Sequence, residues 1–338
     1  MYINREHTTS MKDFDKKPTY LHQKFYTNIN YLTNYFPLKS VILAISGGQD
    51  SICLIKMIQD FKQHYQPLLK VQYIYIDHQW RKDSKNQIQH INNLIRNTNE
   101  EIYIYQISRI LASEIQARKL RYQILIQHSL KTNNNIIMTG HTQTDKVETF
   151  WQQVVRGTSI DGANSLAKRR ILNNGIILYR PLINFTRTEI HWFCRQFCLP
   201  IWSDITNYSY YIYRNRVRNE LIPYLQNYFQ PHIEKQISSL LDITGIENEY
   251  IKQNALKLYL LSRHKKSIAI NYSILKKQHI ALQTKTLQIF FYHNLNQHIS
   301  KNILFKLIHV IQNIGVTCSI IHLQKIKVKI CNSWLYIY

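Results

Sequence analysis

The chain has 338 residues, 45% hydrophobic and 12% aromatic, a globular composition with enough material for two or three folding units. No apolar run approaches the roughly eighteen residues that cross a bilayer, which excludes a helical membrane span. Lysine and arginine number 43 against 20 aspartates and glutamates, a formal net charge of +23 spread along the whole length, so a polyanionic partner is expected, nucleic acid before any other.

The abundance of Ile, Asn, Lys and Tyr, with only 8 glycines and 7 prolines, follows AT-rich codons and inflates part of that charge. It points to an organelle or a reduced bacterial genome. The start, MYINREHTTSMKDFDKK, mixes acids with bases and holds no apolar run, so no secretory signal or transit peptide is read there. The expected location is the plastid stroma if the chain is organelle-encoded, and otherwise the bacterial cytoplasm. Cys53, Cys194, Cys198, Cys318 and Cys331 are scattered and odd in number, which favours free thiols in a reducing compartment. Cys194 and Cys198, four apart, are a metal or redox pair or, more simply, two small residues on one helical face.

In chain order, Leu21, Phe25, Ile29 and Leu32 repeat at near-helical spacing and predict a leading helix within residues 1–39. The buried run Val41 to Ile45 breaks into Ser46, Gly47, Gly48, Gln49, Asp50 and Ser51, and an amphipathic stretch follows from Ile52 to Tyr65. This reads as strand, tight turn and helix. Adjacent glycines let backbone N–H groups converge on an anion, the serines add hydroxyls, and a helix dipole ends at the same spot, so a phosphate group is the predicted ligand. A Walker loop is a poor match, since G-x-x-x-x-G-K-[ST] is absent. Further strands are predicted at Val71 to Asp77, Ile102 to Ile107 and Ile136 to Met138, separated by helices at Ser84 to Arg96 and Ser113 to Leu130. That alternation predicts an α/β fold with a parallel sheet and crossover helices. Beyond Gln226 it stops: Ile233 to Leu261, Leu282 to Leu295 and Ile303 to Ile311 read as helices. Lys325 to Ile330 alternates lysine with apolar residues, and Asn332-Ser333 supplies a turn before Trp334 to Tyr338.

The hexapeptide SGGQDS resembles the SGGxDS loop of the ATP pyrophosphatases. With it, Asp77-His78 and Arg81, Ala117-Arg118 with Arg121-Tyr122, GHTQTDKVET from Gly140 to Thr149, Arg156-Gly157, Arg180-Pro181-Leu182 and RNRVRNELIP from Arg214 to Pro223 occur in the order and spacing of the tRNA(Ile)-lysidine synthases. The resemblance covers about Ser40 to Leu225. It implies an adenine-nucleotide α-hydrolase-like PP-loop domain over 40–225, after an N-terminal helical extension over 1–39. A mainly helical, partly β tRNA-binding extension follows over 226–338. The implied reaction replaces the C2 oxygen of the wobble cytidine in a CAU anticodon by lysine. The substrates are ATP, L-lysine and tRNA(Ile), magnesium is the cofactor, an adenylated cytidine is the intermediate, and AMP and pyrophosphate are released. No membrane partner is implied, and the oligomeric state is left open, a homodimer being one arrangement.

Carried over residue by residue, Ser46, Gly47, Gly48, Gln49, Asp50, Ser51 and His141 bind ATP, Asp50 and Asp145 hold the metal, and Arg118 joins them as catalytic. Arg121, Glu148, Arg214, Arg216 and Arg218 are candidates for contacting tRNA or lysine. Plainer readings stand beside these: Asp50 as an N-cap, Glu148 as a structural carboxylate, His78 and His141 as hydrogen-bonded edge histidines, the arginines as solvated charge. The chain departs from the family at Thr144, where an acid is usual beside Asp145, at Gln79-Trp80, and at Ala163-Asn164-Ser165. Two rival functions remain. A tRNA thiolation enzyme would share the loop, but its usual C-x-x-C pairs are absent. A non-catalytic RNA-binding relative would not need the intact loop.

Overall fold

The computed structural model describes residues 18–77, 84–96, 98, 100–107, 114–202, 213–313, 319–323 and 326–337. His78, Gln79-Trp80, Arg81, Ser113 and Lys325 lie outside the described residues. The chain divides between Leu241 and Asp242 into two compact units.

The first unit opens with α1 (Tyr20–Thr33), the leading helix that the apolar spacing predicts, followed by β1 (Ser40–Ile45), α2 (Gln49–Tyr65), β2 (Lys70–Asp77), α3 (Ser84–Arg96), β3 (Glu101–Gln106), α4 (Glu114–Lys131), β4 (Ile136–Thr139), α5 (Gln143–Arg156), α6 (Ile160–Ala163), β5 (Arg169–Ile171), β6 (Ile177–Tyr179) and α7 (Arg187–Gln196). The sheet order is β3-β2-β1-β4-β6-β5. All neighbours run parallel except the edge pair β5–β6, which is antiparallel. β1 is apolar from Val41 to Ile45 because both of its faces are covered. Val41, Leu43 and Ile45 enter one core with Phe25, Ile29, Leu54, Ile58 and Phe193, while Ile42 points the other way into a core with Ile74, Leu125 and Ile137. α1 is tied down by a buried polar chain. Thr19 Oγ1 and its backbone N–H meet His22 Nδ1, His22 Nε2 meets Asp60 Oδ2 at 3.0 Å, and Lys56 Nζ donates to Asp60 Oδ1 at 2.8 Å.

After α7 come α8 (Tyr213–Arg216), a π-helical turn over Val217–Leu221 and α9 (Ile222–Tyr228), then α10 (Ile233–Ser262). Val147, Val217, Ile222, Ile237 and Leu241 pack α5, the π-turn, α9 and the start of α10 together.

The second unit contains β7 (Ala269–Asn271), α11 (Tyr272–Lys276), α12 (Ile280–Leu295), α13 (Lys301–Asn313), β8 (Ser319–Leu323), β9 (Ile326–Cys331) and β10 (Trp334–Ile337), with sheet order β7-β10-β9-β8. The alternation around residue 328 is realised: Val328 and Ile330 are buried and Lys327 is exposed. Asn332 and Ser333 take φ of 49° and 67°, the two left-handed residues of a tight hairpin turn. Cys331 is disulfide-bonded, where the scatter of cysteines predicts free thiols.

Candidate active site

The SGGQDS segment sits between the carboxyl end of β1 and the start of α2, the edge where open parallel sheets bind ligands. Gly47 has φ +74°, and a Cβ there would lie 2.8 Å from Gln87 Nε2 and 3.0 Å from Ile91 Cδ1, so glycine is required by the fold. Gly48 differs. Its backbone is ordinary, and a Cβ would find only Ser46 Oγ at 3.8 Å, so its bareness serves the open space in front of α2. Gly48 is the N-cap of α2 and gives no side-chain cap, leaving the first N–H groups of the helix to a ligand. Asp50 therefore lies inside the first turn rather than capping it, which corrects the N-cap reading. Gln49 Nε2 is buried in the loop with no hydrogen-bond partner.

The loop is held from behind. Ser46 N–H donates to Ser51 Oγ at 3.1 Å, the two hydroxyls meet at 2.9 Å, and Gln87 Nε2 donates to Ser46 O at 2.9 Å while its Oε1 accepts from Tyr75. Gly140, at the end of β4, lets that strand approach the loop: a Cβ there would stand 3.1 Å from Asp50 O. Cys194 leans on the loop carbonyl of Gln49 and on Cys53, whereas Cys198 is exposed beyond the end of α7. The pair is structural, and among the described residues no group of three or more His, Cys, Asp or Glu is placed to hold a metal on its own.

Beside the loop lies α5, capped by Thr142, whose backbone N–H donates to Asp145 Oδ2 at 2.8 Å. Asp145 Oδ1 accepts from Arg214 Nη2. Glu148, wholly buried, accepts from Arg214 Nε at 2.7 Å and from Arg218 through Nε and, at 3.0 Å, Nη2. Thus Arg214 and Arg218 converge on the α5 carboxylates. Arg216 points away to an exposed pair with Glu220 at 3.1 Å, because residues two apart on a helix face opposite sides. Thr144 donates to Glu234 Oε2 of α10 at 3.0 Å.

Electrostatics separate the two aspartates. Burial pushes the Asp50 carboxyl up, and neighbouring Asp145 adds to it, to about 7; Arg187 and Arg218 oppose. Among the described residues Asp50 has no hydrogen-bond or ion-pair partner. Burial also opposes ionisation of Asp145, but Arg214, the Thr142 N–H and Arg218 outweigh it and hold that carboxyl below its ordinary range. Burial, reinforced by Arg180, Arg118 and Arg214, pushes His141 down to about 3, so its imidazole is neutral. His141 Nδ1 meets Thr139 Oγ1 at 2.8 Å. Arg118 is exposed, its guanidinium 5.4 Å from the Tyr122 ring centre, and Arg121 is exposed on the same helix. Arg180 is buried against Ala167 O and Tyr122 with its Nε unpartnered.

The residues fit a nucleotide with a divalent cation. The loop offers bare donors and open space, and among the described residues the Asp50 carboxyl has no direct hydrogen-bond or ion-pair partner, Arg187 and Arg218 acting on it only at a distance. Mg²⁺ is commonly held by one or two carboxylates with phosphate oxygens completing its shell, so no all-protein cluster is needed. Gln87, Tyr75 and Arg187 escape sequence reasoning, since nothing in their own stretches marks them as neighbours of the loop.

Residues 21–225 match the PP-loop domain family. The chloroplastic tRNA(Ile)-lysidine synthase of Gracilaria tenuistipitata var. liui is 48% identical over 94% of this chain and 99% of its own length. That of Pyropia yezoensis is 39% identical over 83% and 85%. The Nostoc tRNA(Ile)-lysidine synthase is 35% identical over 80% and 82%. Among solved structures, the U34-tRNA thiolase NcsA from Methanococcus maripaludis, with its [4Fe-4S] cluster, is similar at a TM-score of 0.54 and 15% identity, over 65% of this chain and 77% of that one; this likeness is of fold alone. The PP-loop match, the sheet it folds into and the relatives that run the length of the chain agree: the chain belongs to the tRNA(Ile)-lysidine synthase family of PP-loop proteins.

Proposed function

We propose that this protein is a ligase joining L-lysine to C2 of the wobble cytidine in the CAU anticodon of an isoleucine tRNA, with ATP converted to AMP and pyrophosphate. The change converts reading of the codon from methionine to isoleucine. The observation that carries this reading is the 48% identity to a chloroplastic relative of that name along nearly the whole of both chains, and the chloroplastic relatives support a plastid location, in the stroma. The thiolation alternative rests on a fold likeness only.

In this reading the Ser46–Ser51 loop and the start of α2 cradle the pyrophosphate end of ATP, with backbone amides and hydroxyls stabilising charge as it leaves. Asp50 and Asp145 would hold Mg²⁺, with Asp145 kept ionised by Arg214. The ion supplies neutralisation of the phosphates. His141, neutral, offers a ring nitrogen to the nucleotide. Arg118 and Arg214 supply cations that suit the α-phosphate and the RNA, and buried Arg180 adds positive potential from behind. Arg121 lies on the outer face of α4, where it meets the tRNA, and residues 226–338 add a further RNA-binding extension.

The test uses ATP, Mg²⁺ and labelled lysine. Label should enter a CAU-anticodon isoleucine tRNA transcript with release of AMP and pyrophosphate, and should not enter a transcript carrying uridine at the wobble position. Equal labelling of both transcripts, or none of either, overturns the reading.

A further inference from the structure

The outer edge of the first unit's sheet carries positive charge laid on aromatic rings. β5 is the edge strand, and Arg169, Arg170 and Ile171 are all exposed on it. The guanidinium of Arg169 lies 5.5 Å from the centre of the Tyr35 ring and 5.7 Å from that of Phe36. Next to it, Lys168 Nζ sits 4.8 Å over the Tyr31 ring and donates to Asn28 Oδ1 at 2.8 Å. Tyr31 and Tyr35 touch each other edge to face, with centres 5.4 Å apart, and both are about half exposed.

Neither contributing segment brings a counter-charge. There is no aspartate or glutamate from Lys16 to Gln49, nor from Gly162 to Thr188, a stretch that holds Lys168, Arg169, Arg170, Arg180 and Arg187. Among the described residues Arg169 and Arg170 enter no ion pair.

This arrangement is not what solubility alone requires. Charge on an edge strand blocks strand-to-strand aggregation, but a lone lysine does that, and it needs no ring beneath it. A guanidinium stacked on an aromatic face keeps its N–H groups free around its rim while losing little of its charge, which suits it to grip phosphate oxygens in pairs. Rings beside cations on an exposed surface are also how RNA is held, backbone by charge and ribose or base by stacking.

We propose that the β5 edge, with Arg169, Arg170 and Lys168 set against Tyr31 and Tyr35, is an RNA-backbone docking surface that holds the tRNA while its anticodon is at the catalytic loop. This inference rests on the tRNA-modifying reading above. The phosphate-ribose backbone, not a base sequence, is what the surface recognises. It adds affinity without selecting the wobble base.

The experiment measures dissociation constants of the full chain for an unmodified CAU-anticodon isoleucine tRNA transcript across a series of KCl concentrations. Each phosphate contact adds about 0.7 to 0.9 to the slope of log affinity against log salt. Arg169→Gln with Arg170→Gln should therefore flatten that slope by about 1.4 to 1.8 and weaken binding at moderate salt roughly tenfold. ATP binding should be unchanged, and Arg169→Lys alone should leave the slope as it is, since the charge remains. An unaltered slope in the double variant, or a variant that merely aggregates while its monomer binds as before, overturns the proposal and leaves the edge-guard role. The two readings fail separately: a wild-type protein that transfers lysine with no effect of the double variant refutes only the docking surface. A wild-type protein that neither binds nor modifies the transcript refutes the functional reading and this one with it.

Discussion

Replacing Glu148 by glutamine keeps its shape and removes its charge, which separates a structural carboxylate from one that binds substrate. Glu148 is wholly buried and takes three hydrogen bonds from Arg214 and Arg218. Removing one partner of a buried ion pair costs about 3–5 kcal/mol when the other charge is left stranded. Here the arginine side chains keep 26% and 19% exposure, and Asp145 Oδ1 remains 3.5 Å from Arg218. Water and Asp145 then absorb part of the penalty, leaving about 2–3 kcal/mol. Urea unfolding followed by circular dichroism should show a lower midpoint with an unchanged slope, and the melting temperature of the first unit should fall by about 5–10 °C. Loss of lysine transfer should be modest below the new melting range. A variant as stable as wild type that has lost lysine transfer would refute the structural assignment.

Asp50→Asn should abolish ATP-dependent turnover. In EDTA it should also make the protein more stable at pH 8 by up to about 4 kcal/mol, the linkage of a carboxyl lifted to about 7. The sign follows from the raised pKa: the native state keeps the Asp50 proton to about pH 7 while the unfolded chain releases it near pH 4, so wild-type stability falls across that window. The advantage of the variant should shrink towards pH 5, and an advantage independent of pH would contradict the cause. Gly47→Ala should lower stability by about 1–3 kcal/mol through its left-handed backbone and lose ATP binding. Gly48→Ala should leave the urea midpoint unchanged and still lose ATP binding; equal effects of the two on stability would show that Gly48 is not kept bare for a ligand. Thr144→Asp, which sets a buried carboxylate against Glu234, should cost about 2–3 kcal/mol at pH 8, and adding Glu234→Gln should recover most of it. Strictly additive urea midpoints would break the pairing.

Much of this was legible because it is local. The strands buried on both faces are continuous apolar runs, the loop is marked by its glycines, and Asn332-Ser333 has the chemistry its left-handed turn needs. What escaped was the consequence of packing. β5 and β6 are three residues each, joined through a turn at Asn173–Gly175, too short for alternation to register, so the antiparallel edge on an otherwise parallel sheet carries no signal. Gln87 reaches the loop from α3, a helix with nothing in its sequence to mark that side chain. Arg214, Arg216 and Arg218 look equivalent as a triplet, and only the helical turn sends the first and third to the α5 carboxylates and the second to solvent.

The departure at Thr144 shows how such packing changes the meaning of a residue. Read along the chain, a threonine where the family has an acid removes one negative charge beside Asp145. In space the hydroxyl donates to Glu234, whose carboxyl burial holds above its ordinary range, so α10 returns a carboxylate to the place where α5 gave one up. Asp145 and Glu148 are already satisfied by Arg214 and Arg218, and His141 is neutral among three arginines. Among the described residues Asp50 is the carboxyl beside the loop that no hydrogen bond or ion pair holds, and burial together with Asp145 lifts it to about 7; a divalent cation there would relieve that cost, which is the ground for proposing it as the first metal ligand.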